Sequence, residues 1–262
     1  MQNSMLSGFD SFSPSEIAHK VEALGVTKAR TAWPALMMLS MLAGAFIAFG
    51  GAFYTTTITG STLGFGMTKM LGGITFSTGL ILVVVGGAEL FTGNNMIVMA
   101  WVSRKVSLQD MLKNWVLVYL GNFIGAAGVL AMMVLSGILD GPVAETAIKV
   151  AEGKLKLSTS EAFVRGILCN TLVCMAVWLC SSARNVFGKI LAIVFPVSAF
   201  ITLGFEHSIA NMYLIPVGYF AGSEIVTLSG FLHNLVPVTL GNIIGGSLFV
   251  ALSYWIIYLR KV

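Results

Sequence analysis

Leu120-Gly121-Asn122-Phe123-Ile124-Gly125 recurs 120 residues later as Leu240-Gly241-Asn242-Ile243-Ile244-Gly245. A looser pair is offset by 117 residues from glutamate to glutamate: Glu89-Leu90-Phe91-Thr92-Gly93-Asn94-Asn95-Met96 against Glu206-His207-Ser208-Ile209-Ala210-Asn211-Met212. Two matches at nearly one offset make the chain two copies of one unit. A membrane-crossing helix needs ~20 mostly apolar residues. Six regions qualify, at 32–57, 69–101, 110–138, 162–182, 188–219 and 230–259. Each copy therefore holds three crossings. Three is odd, so the second copy is expected upside down relative to the first. The expected fold is an all-α membrane protein of six transmembrane helices arranged as two inverted three-helix repeats. The halves run over 31–138 and 160–259 within a single channel domain, 31–262.

Composition agrees with burial in lipid. Of 262 residues, 56% are hydrophobic and 10% charged, against roughly 25% charged in a soluble domain. The 29 glycines and 14 methionines suit close helix packing in lipid. Net charge is +4, but the distribution matters more than the sum. With the N-terminus cytoplasmic, the inner side holds ten Lys and Arg residues and the outer side five. Both termini are therefore expected inside, in a multi-pass protein of the cytoplasmic (inner) membrane. Residues 1–30 are polar and show no cleavable leader pattern. Within them, Ser13-Pro14-Ser15-Glu16 is a helix start, and Ile17, Val21 and Leu24 share one face. This segment is expected as an amphipathic helix on the cytoplasmic surface. Cys169, Cys174 and Cys180 lie in one apolar segment without CxxC and are expected to pack rather than bridge.

Regions two and five exceed one straight crossing, and each carries a polar cluster at hydrocarbon depth. Gly86-Gly87 precedes Glu89, Gly93 follows Thr92, and Gly204 precedes Glu206-His207-Ser208. Both helices are expected to break there, because irregular backbone at that depth must line a cavity or be buried in protein. Glu89 and Glu206 occupy equivalent positions. They are expected as structural groups that cap the half-helix N-termini, with Asn211 a further structural polar group. A charge at the bilayer centre costs at least ~2.5–3.5 kcal/mol, so each needs such a task. His207 differs, because its repeat partner is Leu90. It is expected to donate a hydrogen bond or a proton in the permeation path, facing Thr92 across the pseudo-axis. Asn170 is a candidate for lining the same path, with interhelical bonding as the competing role. Phe76, Phe91, Phe195 and Phe200 flank the clusters and are candidates for a dry constriction. Gly121-xxx-Gly125 and Gly241-xxx-Gly245 are explained by packing of spans three and six inside the bundle. No Walker loop, GxSxG or HExxH is present, and His19, His207 and His233 are scattered. An enzyme, a cofactor, a metal site and a nucleic-acid partner are therefore not expected.

At Gly87-Ala88-Glu89-Leu90-Phe91-Thr92-Gly93 and Gly204-Phe205-Glu206-His207-Ser208-Ile209-Ala210-Asn211-Met212 the chain resembles the formate/nitrite transporter family. Leu235-Val236-Pro237-Val238-Thr239-Leu240-Gly241-Asn242 with Tyr254-Trp255, and Gly166-Ile167-Leu168-Cys169-Asn170 leading to Val173-Cys174, are similar too. The resemblance implies an aquaporin-like protomer, a homopentamer and one pore per protomer. It implies His207 as the central pore histidine, Thr92 as its partner, Asn170 as a pore-lining asparagine and Lys154 as the outer-funnel lysine. Phe76, Leu80, Leu90, Val173 and Phe200 fall at its hydrophobic constrictions. Phe91-Thr92-Gly93 with Met96 is closer to the nitrite branch; Phe76, Phe200 and the 256–260 tail are closer to the formate branch.

The expected function is passage of a small monovalent anion of a weak acid, formate foremost. Lys154 attracts the ion. The apolar neck then raises its proton affinity, since desolvation disfavours charge, and His207 supplies a hydrogen bond or proton. The alternatives are nitrite or hydrosulfide in the same fold, a water or glycerol facilitator, and an intramembrane redox enzyme using Glu206-His207.

Overall fold

The structure is a computed structural model that describes residues 11–260. The expectations for residues 1–10 and for Lys261 lie outside the described residues. Within them every regular element is helical, and one isolated bridge joins Ser11 to Ala183.

Helix α1 (Pro14–Ala29) starts in a capping box. The Ser13 hydroxyl accepts from the Glu16 N–H, and the Glu16 carboxylate accepts from the Ser13 N–H. Its apolar face is Ile17, Ala18 and Val21, buried against the 96–100 segment and Trp178. Full burial of a Val or Ile side chain is worth about 1.5–3 kcal/mol, so α1 is docked on the bundle by this face. Leu24, expected on that face, is instead exposed and lines a cavity. Buried Glu22 ion-pairs with Lys105.

Helices α2 (Trp33–Ile58) and α3 (Phe65–Gly86) follow, then two short pieces, α4 (Phe91–Asn94) and α5 (Val98–Val102), joined by a 3₁₀ turn at Asn95–Ile97. Helix α6 (Leu108–Leu135) completes the first half, and α7 (Gly141–Leu155) opens the second. Next come α8 (Thr159–Ser182), α9 (Val186–Thr202), α10 (Ser208–Leu214) and α11 (Pro216–Phe220). The last rod is α12 (Leu228–Ile244), a π segment (Gly245–Leu252) and α13 (Ser253–Tyr258). Five helices are long and apolar enough to cross a membrane: α2, α3, α6, α8 and the Leu228–Tyr258 rod. The region at 188–219 is divided among α9, α10 and α11, and α9 alone is apolar but shorter.

In the first half α2 packs on α3 and α6; in the second α8 packs on α9 and α12; α3 packs on α9 between the halves. The two GxxxG segments explain the closeness. A Cβ at Gly125 would overlap the Met41 carbonyl of α2, and one at Gly245 the Ile167 carbonyl of α8. Both motifs thus serve packing within the bundle. Outward faces are apolar, with Phe65, Leu135, Phe187 and Leu228 each more than two-thirds exposed. Lipid or another subunit must cover such a surface.

Candidate functional site

The site is assembled on the two places where a helix stops inside the bundle. Helix α3 ends at Gly87 with φ 83°, and α9 ends through Gly204 with φ 70°. These glycines are 117 residues apart, and the left-handed conformation lets the chain turn without a Cβ clash. The closing bonds repeat as well: Ala88 N–H to Val83 O at 2.8 Å, and Phe205 N–H to Phe200 O at 2.9 Å.

The next residues are tied down by matching networks. In the first half the Lys28 ammonium donates to Glu89 Oε1 at 2.8 Å, Asn94 Nδ2 to Glu89 Oε2 at 2.7 Å and Asn114 Oδ1 at 2.9 Å, and Asn114 Nδ2 to the Lys28 carbonyl at 3.0 Å. In the second half Lys154 donates to Glu206 Oε1 at 2.9 Å, Asn211 Nδ2 to Glu206 Oε2 at 2.6 Å and Asn234 Oδ1 at 2.7 Å, and Asn234 Nδ2 to the Lys154 carbonyl at 3.0 Å. The glutamates therefore do not cap helix N-termini, as their position in the sequence suggested. That task falls to the asparagines of the repeated LGN motif. Asn122 Oδ1 accepts from Phe91 N–H at 2.9 Å, and Asn242 Oδ1 from Ser208 N–H at 2.8 Å. Their amides donate to the Glu89 and Glu206 carbonyls at 2.9 and 3.0 Å. A buried carboxylate needs a charged partner and several donors. Lys and Asn supply these here, so the backbone N–H groups are left for Asn122 and Asn242.

Between the two stops the packing is mostly apolar, and it is the candidate neck of a path. Phe76 of α3 and Phe200 of α9 meet edge to face with ring centroids 5.8 Å apart, and both are buried. The His207 ring stacks on Phe200 at 6.0 Å. His207 Nδ1 accepts from the Ala210 N–H at 3.1 Å, capping α10. A backbone N–H can only donate, so the ring proton of the neutral imidazole sits on Nε2. Nε2 lies 3.1 Å from the Thr92 hydroxyl, which joins the halves. Asn170 is near but does not offer its amide to the neck. Its Nδ2 is taken up by the Thr92 carbonyl, Asn95 Oδ1 and the Asn242 carbonyl at 3.2, 2.8 and 2.7 Å. It braces Thr92 from behind. Val173 is fully packed one turn along α8, and Leu80 and Leu90 line the far end of the neck. Phe195 points away from it, 72% exposed, and Phe91 packs on Trp115 and Tyr119. Neither forms the constriction expected of them, because α9 turns Phe195 outward and α4 turns Phe91 toward α6.

A cavity opens at each end. One, of about 540 Å³, is lined by Lys69, Lys154 and Glu206 with part of α7. The other, of about 370 Å³, is lined by Lys20, Leu24 and Lys28 of α1 with Leu80, Glu89 and Leu90. Lys69 and Leu80 belong to one helix, and the rise between them is about 16 Å. Phe76 sits between. Among the described residues no three metal-ligating side chains converge.

Lys28, Asn94, Asn114 and Asn234 were not singled out in the sequence. A signal existed. Lys28 precedes Lys154 by 126 residues, and Asn114 precedes Asn234 by 120. The six extra residues hide the equivalence of α1 and α7 from a search at one offset.

Known proteins agree with this architecture. A profile of the formate/nitrite transporter family matches residues 15–256. The formate channel FocA of Escherichia coli K12 is 42% identical over 97% of this chain and 96% of its own. The formate channel BtFdhC of Bacillus thuringiensis is 38% identical over 95% of this chain and 96% of its own. Of solved structures, one described as a pentameric formate channel with formate bound superposes with a TM-score of 0.81 at 37% identity, covering 87% of this chain and 98% of that one. A second, an FNT family ion channel, superposes with a TM-score of 0.86 at 31% identity, covering 93% and 99%.

Proposed function

This chain belongs to the formate/nitrite transporter family of membrane transporters, and on that premise we propose that each subunit is a formate channel whose neck is gated by the Thr92–His207 pair. The observation that carries this is that pair: a buried polar contact beside the packed Phe76 and Phe200 rings, with a cation-lined cavity at each end. Formate as substrate is further supported by the two formate channels it resembles over nearly its whole length, and a homopentamer by the pentameric neighbour.

The six-crossing inverted repeat is part of the proposal. It is supported by the duplicated networks and by Tyr119 and Thr239, equivalent positions 120 residues apart whose hydroxyls meet at 2.8 Å. Two equivalent residues touch only beside the axis that relates the copies. Regions two and five then cross as broken helices, α3 with α4–α5 and α9 with α10–α11. Both termini face the cytoplasm, which puts the α1-side cavity inside and the α7-side cavity outside.

A bare anion in a medium of ε ≈ 4 costs tens of kcal/mol by Born solvation. Formate is the anion of a weak acid and escapes that cost by taking up a proton from vestibule water as its own hydration is stripped away. His207 aids this as a donor. Its Nε2–H turns from Thr92 to the carboxylate oxygen, and the Thr92 hydroxyl supplies a second hydrogen bond. The Ala210 N–H, already bound to Nδ1, opposes a second ring proton there, so the imidazole stays neutral while it donates.

Flux of formate, nitrite and hydrosulfide into proteoliposomes, followed by stopped flow across a range of external pH, tests this. Formate uptake rises as the entry side is acidified, and His207→Phe reduces uptake at least tenfold, the effect of one charge-assisted hydrogen bond of about 1.5–3 kcal/mol. A variant that carries formate at the wild-type rate and pH profile rules out the histidine role; a preference for nitrite or hydrosulfide reassigns the substrate.

A further inference from the structure

The cavity on the α7 side is far larger than a formate ion requires. Its volume of about 540 Å³ lies within the ~300–1,000 Å³ that holds drug-sized ligands, while the neck below it is closed by packed rings. Its charge is lopsided. Lys69, Lys149, Lys154 and Arg165 all line it, against Glu206 as the single carboxylate among its described lining residues. Glu206 is already committed to Lys154 and Asn211, at 2.9 and 2.6 Å. The remaining three cations are left with weak partners. Lys69 reaches the Tyr54 hydroxyl at 3.5 Å and lies 5.9 Å from the centre of the Phe65 ring, with no carboxylate against it among the described residues. Arg165 donates to the Gly204 carbonyl at 3.3 Å and is 4.0 Å from the half-exposed Glu161. Lys149 is exposed at the rim on α7. The three stand on three different helices, α3, α7 and α8, so they present separate positive walls rather than one patch.

A single carboxylate satisfies one such wall. Three cations around a roomy bowl fit a ligand with two or three carboxylates, in which Arg165 takes one group by its guanidinium fork and the lysines take the others. Taking this bowl as one mouth of the anion path, we propose that it is a binding site for small di- and tricarboxylates, which seat there, cannot pass the Phe76–Phe200 neck and plug the pore from the α7 side. The α1-side cavity is smaller, at about 370 Å³, and Lys28 within it is held by both Glu89 and Asn94. It is the weaker site for such a ligand.

Tricarballylate is the probe, with choline chloride at matched ionic strength as the control. Binding to the purified protein is measured by calorimetry, and inhibition of formate flux is measured in liposomes with the probe on one face at a time. Tricarballylate binds more tightly than succinate, and blocks flux only from the face that bears α7. Lys69→Met and Lys149→Glu each weaken its binding about tenfold, with inhibition scored against each variant's own uninhibited flux. Lys149 is exposed, so its reversal leaves folding intact and keeps the test informative should Lys69→Met misfold. Absence of binding, equal inhibition from both faces, or unchanged affinity in Lys149→Glu overturns the proposal. Binding without any formate flux would instead retain this site and discard the substrate assigned above.

Discussion

The two halves of this protein hold their interrupted helices by the same bonds and differ where an ion would pass. Lysine, glutamate and two asparagines close one network around Glu89 and another around Glu206 by four matching bonds, and Lys28 adds a fifth to Asn94 that Lys154 does not make to Asn211. Asn122 and Asn242 do the same for the helix starts beyond. At the neck the correspondence fails. Leu90 stands where the second half has His207, and Ile209 stands where the first has Thr92. The matching bonds hold irregular backbone in both halves. Each half was then free to contribute one member of an unlike pair, and the polar contact at 3.1 Å exists only because the halves are not the same. A strictly symmetric molecule would carry two leucines or two histidines there. The first would set two threonines together with no imidazole, and the second two Nε2–H donors with no hydroxyl to accept from them.

The comparison is broken most severely at the LGN asparagines. Asn122→Ala or Asn242→Ala strips partners from one buried backbone N–H and two carbonyls. Each such group costs about 1–3 kcal/mol when orphaned. Both variants are expected to lose at least ~3 kcal/mol, by similar amounts, in thermal unfolding of the detergent-solubilised protein. A large loss at one and none at the other would show that the scaffold is not shared.

The ion pairs are expected to separate the halves. Glu206→Ala leaves Lys154 uncompensated where the side chains are 14% and 5% exposed; the Lys28–Glu89 pair is wetter, at 29% and 12%. Breaking a buried pair costs about 3–5 kcal/mol, so the Glu206 variant should unfold at a lower temperature than Glu89→Ala. The reverse order would mean that docking of α1, rather than burial, governs the energy.

Lys154→Ala and Lys28→Ala test the vestibules. Each should raise the apparent KM for formate severalfold when the ion enters from its own side, with little change at saturation. Uptake kinetics measured in both directions read this directly, and an unaltered KM on both sides would remove the lysines from ion capture. The smallest effect belongs to the element with the loosest counterpart, α1. The Ser13 hydroxyl and N–H beside Glu16 hold its carboxyl below the ordinary carboxylate value, which is about 4.3. A depressed folded value stabilises the cap above the ordinary value and is lost only as pH falls through the depressed one. Hydrogen-exchange protection over residues 15–20, measured relative to the intrinsic rate at each pH, should therefore hold at pH 5 and fall only under stronger acid; early loss of protection at pH 5 would assign the cap to other contacts.

Much of this site is legible in the chain. Glu89, Thr92, Glu206 and His207 stand out because ionisable and polar groups in apolar segments are costly and must serve a purpose. Their partners are less visible. Lys28 sits in a polar segment where a lysine draws no notice, and it finds Glu89, 61 residues further along the chain, only because α1 docks on the bundle. Asn170 reads as a pore residue because polarity is apparent in a sequence and direction is not; its amide is spent on the Thr92 and Asn242 carbonyls. Phe195 and Phe200, five residues apart on one helix, read alike, yet one is exposed and the other packed against His207.

Hydropathy and self-similarity by themselves determined that this chain is an all-helical membrane protein with recurring sequence segments and polar groups inside its longest apolar regions. Those properties are local or periodic, and so are written along the chain. Which lysine answers which glutamate, which asparagine caps which helix, and which aromatic rings close the neck were decided only by the tertiary structure. Each is a contact between groups far apart in sequence, and a hydrogen bond or a ring contact depends on the last few ångströms of approach, which no spacing along the chain encodes.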